Sequence, residues 1–160
     1  MAVIGIPGAD EFPELSSEES DRWSNFGRRQ APHFAGLLGL RLEELRVGWC
    51  RMRLPFRPQL TQPAGMVHGG AIASLVDTSL VPAVGTSYGA GAAYATVDLQ
   101  VQYLGAATVG DDLIAVGWVS RAGRSVAFCR AEVTTDRGQP VASGSLTFGI
   151  SVGISMPAHG

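Results

Sequence analysis

The sequence predicts an α+β fold in which a strongly curved antiparallel sheet wraps one long apolar helix. Three observations predict it. The run AIASLVDTSLVPAVG carries one charge and is hydrophobic almost all round, the pattern of a central, buried helix. Ahead of it, LRLEELRV and WCRMRLPF alternate apolar and polar residues about Val47-Gly48, the signature of a hairpin. Behind it, YATVDLQVQYL, DLIAVGWVSR, SVAFCRAEVTT and PVASGSLTFGI alternate likewise, with turn signals at 105–110, 122–123 and 136–138. These four consecutive strands are long enough to curl, and they predict a meander around the helix.

In chain order, residues 1–16 combine Gly, Pro and acids without a usable period and predict a loose or surface-docked tail. Ser16 or Ser17 is placed to cap a helix over Glu18–Arg29, with acids in its first turn and arginines in its last, as the helix dipole favours. Pro32 opens a second short turn, PHFAGLLG, that ends at Gly39. The hairpin follows, then the breaker-rich loop RPQLTQPAGMVHGG and the apolar helix. Pro82 lacks a donor and crowds the preceding turn, so it is expected to kink or end that helix. GTSYGAGAA then predicts a flexible connection into the strands. The expected division is an N-terminal tail and short helix over 1–30, one domain over 31–152, and a C-terminal tail over 153–160.

Composition narrows the chemistry. A chain of 160 residues is enough for one domain and too short for two. With 46% apolar and 16% charged residues it is neither disordered nor a coiled coil. All 12 basic residues are arginines, and the absence of lysine excludes a Walker A loop, a Schiff-base enzyme and a pyridoxal-phosphate anchor. Six of the 14 acids lie in the first 21 residues, which leaves a mildly basic body suited to an anionic ligand. Scattered arginines equally serve to solubilise a surface. No arginine-rich run or aromatic pattern points to nucleic acid.

Cys50 and Cys129 have no zinc-type spacing and read as buried free thiols, which favours a reducing, cytoplasmic location. The N-terminus lacks a basic region and an apolar run of secretory length, and no apolar stretch of about 18 residues predicts a membrane span.

The chemistry concentrates in Gln62-Pro-Ala-Gly-Met66-Val-His68-Gly69-Gly70-Ala-Ile-Ala-Ser-Leu-Val-Asp77. Two glycines opening a helix leave backbone N–H donors unshielded, and those donors with the positive helix end can hold an oxyanion. Alone, the pair would equally serve tight entry of the chain onto the helix. Asp77 is sharper, as the one carboxylate in a run that otherwise reads as core. Burying an ionised carboxylate without partners costs about several kcal/mol, so it should be paired, neutralised or used as base or nucleophile. The alternative is a narrow polar face shared with Ser74 and Thr78.

Gly69 and Asp77 are eight residues apart, about 12 Å along a helix axis, too far for both to reach one carbonyl. Two antiparallel copies of the helix could bring the N-terminus of one chain to the Asp77 of the other, which predicts a composite site at a two-fold interface. His68 reads equally as a donor to a carbonyl or leaving thiolate and as a helix-entry residue bonded to nearby backbone. No second ligand accompanies it at metal spacing, so no metal site is expected. GAGAAY at 89–94 precedes a strand where a dinucleotide motif would follow one.

The pattern G-x-x-H-G-G-x-x-x-x-L-x-D from Gly65 to Asp77, followed by ATVDLQVQYL, resembles the hotdog-fold acyl-CoA thioesterases, in particular the small PaaI-like, phenylacetate-pathway-type enzymes. The likeness covers roughly residues 34–150. It implies a central helix in a sheet "bun", homodimers with a continuous sheet and often dimers of dimers, acyl-CoA as substrate, and no cofactor beyond the CoA the substrate carries. It further implies that Asp77 activates water or attacks the thioester, that Gly69 supplies the oxyanion N–H across the interface, and that His68 and Gln62 stand beside the reacting carbonyl. Thr96 matches a hydroxyl residue that orients water.

Gly70, Met66 and Val81 fall along the substrate pocket, with Phe34, Leu37 and Leu38 expected near it. Arg124 and Ser125 match a turn near the CoA nucleotide. Tyr103-Leu104-Gly105 lacks the arginine that many relatives carry there, and Val81 is apolar where one aryl-CoA branch has a hydroxyl. Two other readings are carried: a hotdog hydratase, whose D-x-N-P-x-H motif is absent, and a non-catalytic acyl-CoA-binding protein.

Overall fold

The structure is a computed structural model that describes residues 5–26 and 33–152. Its helices are α1 (Ser17–Trp23), α2 (Phe34–Leu38) and α3 (Gly69–Tyr88). Its strands are β1 (Arg41–Arg46), β2 (Trp49–Leu54), β3 (Ala92–Tyr103), β4 (Leu113–Ala122), β5 (Val126–Thr135) and β6 (Pro140–Val152). The strands form one antiparallel sheet in the order β1-β2-β4-β5-β6-β3 around α3. This is the expected architecture, the hotdog fold.

The alternating residues of the strands explain the core. Leu113, Ala115, Ala127, Cys129, Ala131, Val133, Leu146 and Phe148 face inward and are buried against Leu75, Val76, Leu80, Ala83 and Val84 of α3. Two glycines set how closely helix and sheet approach. A Cβ on Gly144 would overlap Val76, and one on Gly117 would stand 2.9 Å from both Leu80 and Ser79. Gly48 makes the β1–β2 turn at φ +80°, and its N–H donates to Thr86 Oγ1 at 3.0 Å, tying the hairpin tip to the end of α3.

Three expectations need correction. The four-stranded meander is broken, because β3 pairs with β6 at the far edge while β4 pairs with β2. The connection over residues 104–112 is nine residues long, beyond the usual hairpin loop, and it carries the chain across the sheet. Second, of the kink or end expected at Pro82, the end does not occur there, because α3 continues to Tyr88. The helix end is held by Ala83 and Val84, both fully buried, and by Thr86 Oγ1 bonding the Ala83 carbonyl. Third, α1 stops at Trp23, with Ser16 as the cap accepting from Glu19 N at 3.2 Å. The remainder of the expected helix over 27–29, Pro32 and the tail over 153–160 lie outside the described residues.

The N-terminal segment is docked. Trp49 Nε1 donates to the Pro7 carbonyl, Val47 N–H to that of Pro13, and Arg46 pairs with Glu14. Trp23 is buried over Gly85.

The crossing loop is anchored by Asp111, whose Oδ2 accepts from Thr108 N–H at 2.9 Å and Thr108 Oγ1 at 2.8 Å. The Thr108 backbone bond and then its hydroxyl hold this carboxyl below the usual range, with Arg137 adding to the effect. A depressed folded-state value means the stabilisation is full above the unfolded value of about 4 and is lost as pH falls through the folded one. The urea midpoint of the wild type is therefore expected to fall between about pH 5 and pH 3 more steeply than that of Asp111→Asn.

Candidate active site

Helix α3 begins where His68 turns from extended backbone (φ −65°, ψ 136°) into Gly69. His68 Nδ1 accepts from Gly70 N–H at 2.9 Å, a side-chain cap on the helix. The helix-entry reading of this histidine thus describes Nδ1. An accepting Nδ1 in the neutral ring places the proton on Nε2, which is left as a donor. The cap also separates the two glycines. Gly70 N–H is consumed, and a Cβ at Gly70 would press on the His68 ring, whereas Gly69 N–H has no acceptor among the described residues. The open amide of this helix end is therefore Gly69.

Tyr103, which sequence reasoning treated only as a neighbour of the missing arginine, donates its hydroxyl to the Gly69 carbonyl at 2.8 Å. From the end of β3 it steadies the next peptide, Gly69–Gly70, whose N–H is the one held by His68. Tyrosine at that distance in sequence gives no local signal for such a contact.

Gln62 sits in a tight loop. Its backbone N–H donates to the Met66 carbonyl at 2.8 Å and its carbonyl accepts from Gly65 N–H at 2.9 Å. Its side-chain Oε1 accepts from Ala64 N–H at 2.8 Å, so the amide NH2 remains to donate. Met66, half-buried, forms a bridge with Thr108, and Val67 N–H donates to the Ala107 carbonyl, so the crossing loop braces the segment that leads to His68.

Asp77 is half-buried, and this corrects the expectation of an acid enclosed by core. The sequence of α3 is apolar all round, yet the chain's own sheet covers only part of it. Ala73, Ser74, Asp77 and Val81 line the incompletely covered side at helical spacing. Asp77 Oδ1 accepts from Thr96 Oγ1 at 2.7 Å.

Thr96 reaches Asp77 because of a β-bulge. The register with β6 shifts between Thr96 and Asp98, so Val97 is unpaired and outward. Thr96 opposes the buried Phe148, and Leu99 opposes the buried Leu146. Without the extra residue, Thr96 and Leu99 would lie on opposite faces. The edge strand thus presents Thr96, Leu99 and Tyr103 beside α3, and all three are exposed in the single chain.

Arg124 and Ser125 are exposed on the β4–β5 turn. Tyr88 Oη donates to the Gly123 carbonyl at 2.7 Å, so this turn sits at the C-terminal end of α3, about 28 Å along the axis from Gly69. One chain does not bring them to the Gly69 end. Phe34 and Leu37 are exposed on α2, and Leu38 is buried in the core. Burial pushes the Cys129 thiol up to about 12 and raises Cys50 as well, so neither is an available thiolate nucleophile. Among the described residues no three His, Cys, Asp or Glu side chains cluster as metal ligands, and no helix is long and apolar enough to cross a membrane.

The curved sheet around one helix is the hotdog fold, and it sets an open glycine amide at the start of that helix and a carboxylate two turns on. The profile of the thioesterase superfamily matches residues 64–142, which contain the helix, its glycines, Asp77 and Thr96. A Halobacterium salinarum protein that carries an esterase name is 38% identical over 103 residues, covering 61% of this chain and 67% of its own. Mouse acyl-coenzyme A thioesterase 13 is 28% identical over 99 residues, covering 61% and 69%. The fold matches the Escherichia coli PaaI protein from the phenylacetic acid degradation operon with a TM-score of 0.75 at 20% identity, over 86% of this chain and 96% of that one. The chain belongs to the thioesterase superfamily and has the hotdog fold.

Proposed function

We propose that this protein hydrolyses acyl-CoA thioesters to a free acid and CoA, at a site shared between two copies of the chain. The similarity to the mouse acyl-CoA thioesterase supports the substrate class. The single observation that carries the chemistry is the Thr96–Asp77 hydrogen bond on a side of α3 left open by the chain's own sheet. Thr96 Oγ1 uses its proton on Asp77, so its lone pairs are left to accept from a water. One water then lies between Thr96 and the second carboxylate oxygen of Asp77, and Asp77 acts as general base.

The water attacks the thioester carbonyl as Asp77 takes its proton. The tetrahedral oxyanion accepts from the Gly69 N–H of the other copy, and collapse expels CoA thiolate, which is protonated by the Asp77 carboxyl. The free Gln62 amide and His68 Nε2–H are donors for the carbonyl and the leaving sulfur. Gly70 keeps its amide on His68 and shapes the turn. Met66 and Val81 border the acyl group, and Arg124 and Ser125 offer a cation and a hydroxyl to a CoA phosphate.

The test is thiol release from aryl-CoA and straight-chain acyl-CoA esters. Binding of CoA esters without release would contradict the reading and favour an acyl-CoA-binding protein. Single turnover in 18O-water checks the base role: the first acid released is expected to carry the label, and an unlabelled first acid would show that Asp77 is the nucleophile and that water opens the anhydride at the Asp77 carbonyl. Thr96→Val removes one hydrogen bond to a charged group, so kcat is expected to fall about 10- to 100-fold with little change in KM.

A further inference from the structure

A cavity of about 810 Å³ lies between α1 and the β1 edge of the sheet, and none of the described residues that line it belongs to the site above. Its apolar walls are Trp23, Phe26, Leu42, Leu45 and Phe56. Interiors are close-packed, and a space of this size falls in the range of small-molecule pockets. The charges at its rim are unbalanced. Glu43 is engaged by Arg51 and Arg53, and Glu44 by Arg46. Arg57 and Arg41, which also line the cavity, have no carboxylate partner among the described residues.

Arg57 is held in place at that rim. Its guanidinium carbon lies 3.7 Å from where a Gly39 Cβ would be, and Nη2 donates to the Leu37 carbonyl at 2.8 Å. Among the described residues Nε, shut off from solvent, has no partner, and Nη1 has no acceptor. A guanidinium is thus positioned at the mouth of an apolar space. The opposite wall is equally ordered, since Trp23 Nε1 donates to Glu19 at 3.1 Å and its ring meets Phe26 edge-on at 5.4 Å.

We infer that this cavity is a second ligand site, which takes an apolar monocarboxylate with its chain against Trp23 and Leu45 and its carboxylate on Arg57. The chemistry follows from the lining: a hydrocarbon body for the walls and one delocalised anion for a planar cation. The inference stands apart from the thioesterase reading, because it concerns binding alone and involves none of the residues proposed for hydrolysis.

The experiment titrates the full-length protein with 10-bromodecanoate and follows tryptophan emission, which a bromine atom quenches on contact. Saturable quenching is expected, and it is lost in Trp23→Phe, because Trp49 and Trp118 stand on the outer side of the sheet. Arg57→Gln is expected to weaken binding about tenfold while thioester hydrolysis is unchanged. The uncharged 10-bromodecanol binds more weakly than the acid, and each methylene removed from the acid costs roughly fourfold in affinity. Absence of saturable quenching, quenching that survives Trp23→Phe, or an affinity unmoved by Arg57→Gln overturns the inference.

Discussion

Asp77→Asn is expected to leave a folded protein whose thiol release is slower by about 10²- to 10⁴-fold, the contribution of a positioned general base. The substitution is nearly isosteric, and Asn Oδ1 can still accept from Thr96 Oγ1, so the 2.7 Å bond that Asp77 makes survives it. What is lost is the capacity to take a proton from water. The loss should fall on kcat, because the acid is proposed to touch the water and not the CoA. Circular dichroism and urea unfolding close to those of the wild type separate this outcome from a folding defect. Turnover within about twofold of the wild type would remove Asp77 from the mechanism.

A second large effect is expected from Gly69→Pro. Proline is well suited to the first position of a helix, where its missing N–H has no intrahelical partner. The residue before it must be extended, and His68 already is at ψ 136°. The change thus deletes the proposed oxyanion donor with little demand on the backbone. A Cβ at this position would lie 3.1 Å from Tyr103 Oη, so either substitution obliges that ring to give slightly. Gly69→Ala carries the same Cβ and keeps the N–H, and is the matched control. Gly69→Pro is expected to lose about 10²- to 10³-fold in kcat relative to Gly69→Ala. Equal rates in the two variants would show that the amide does not hold the oxyanion.

Much of this was readable from local pattern. The β1–β2 hairpin declares itself through the alternation around Val47-Gly48, Ser16 through the acids that follow it, and α3 through an apolar run too long for a strand. Gly69 and Asp77 stood out because each breaks its surroundings, one by lacking a side chain and one by bearing charge. Other features are long-range and leave no local trace. The place of β3 beside β6 depends on where a nine-residue connection lands, which alternation does not encode. The bulge at Val97 reverses which residues of β3 face α3, and it is visible only against the partner strand.

The burial of Asp77 was misjudged for a related reason. Hydropathy reports that a helix is apolar, but not which of its sides the chain itself covers. The open side of α3 and the exposed β3 edge are what a second copy is proposed to cover, and Gly69 and Asp77 lie on the same helix about 12 Å apart along its axis.

The most direct measurement mixes two inactive proteins. Equimolar Asp77→Asn and Gly69→Pro chains are unfolded together, refolded and assayed for thiol release. In a two-fold dimer with shared sites, each mixed dimer regains one site with an intact Gly69 from one chain and an intact Asp77 from the other. Random pairing then restores about one quarter of wild-type activity. If each chain holds a complete site of its own, the mixture stays at the level of the separate variants, and that result would contradict the shared-site mechanism.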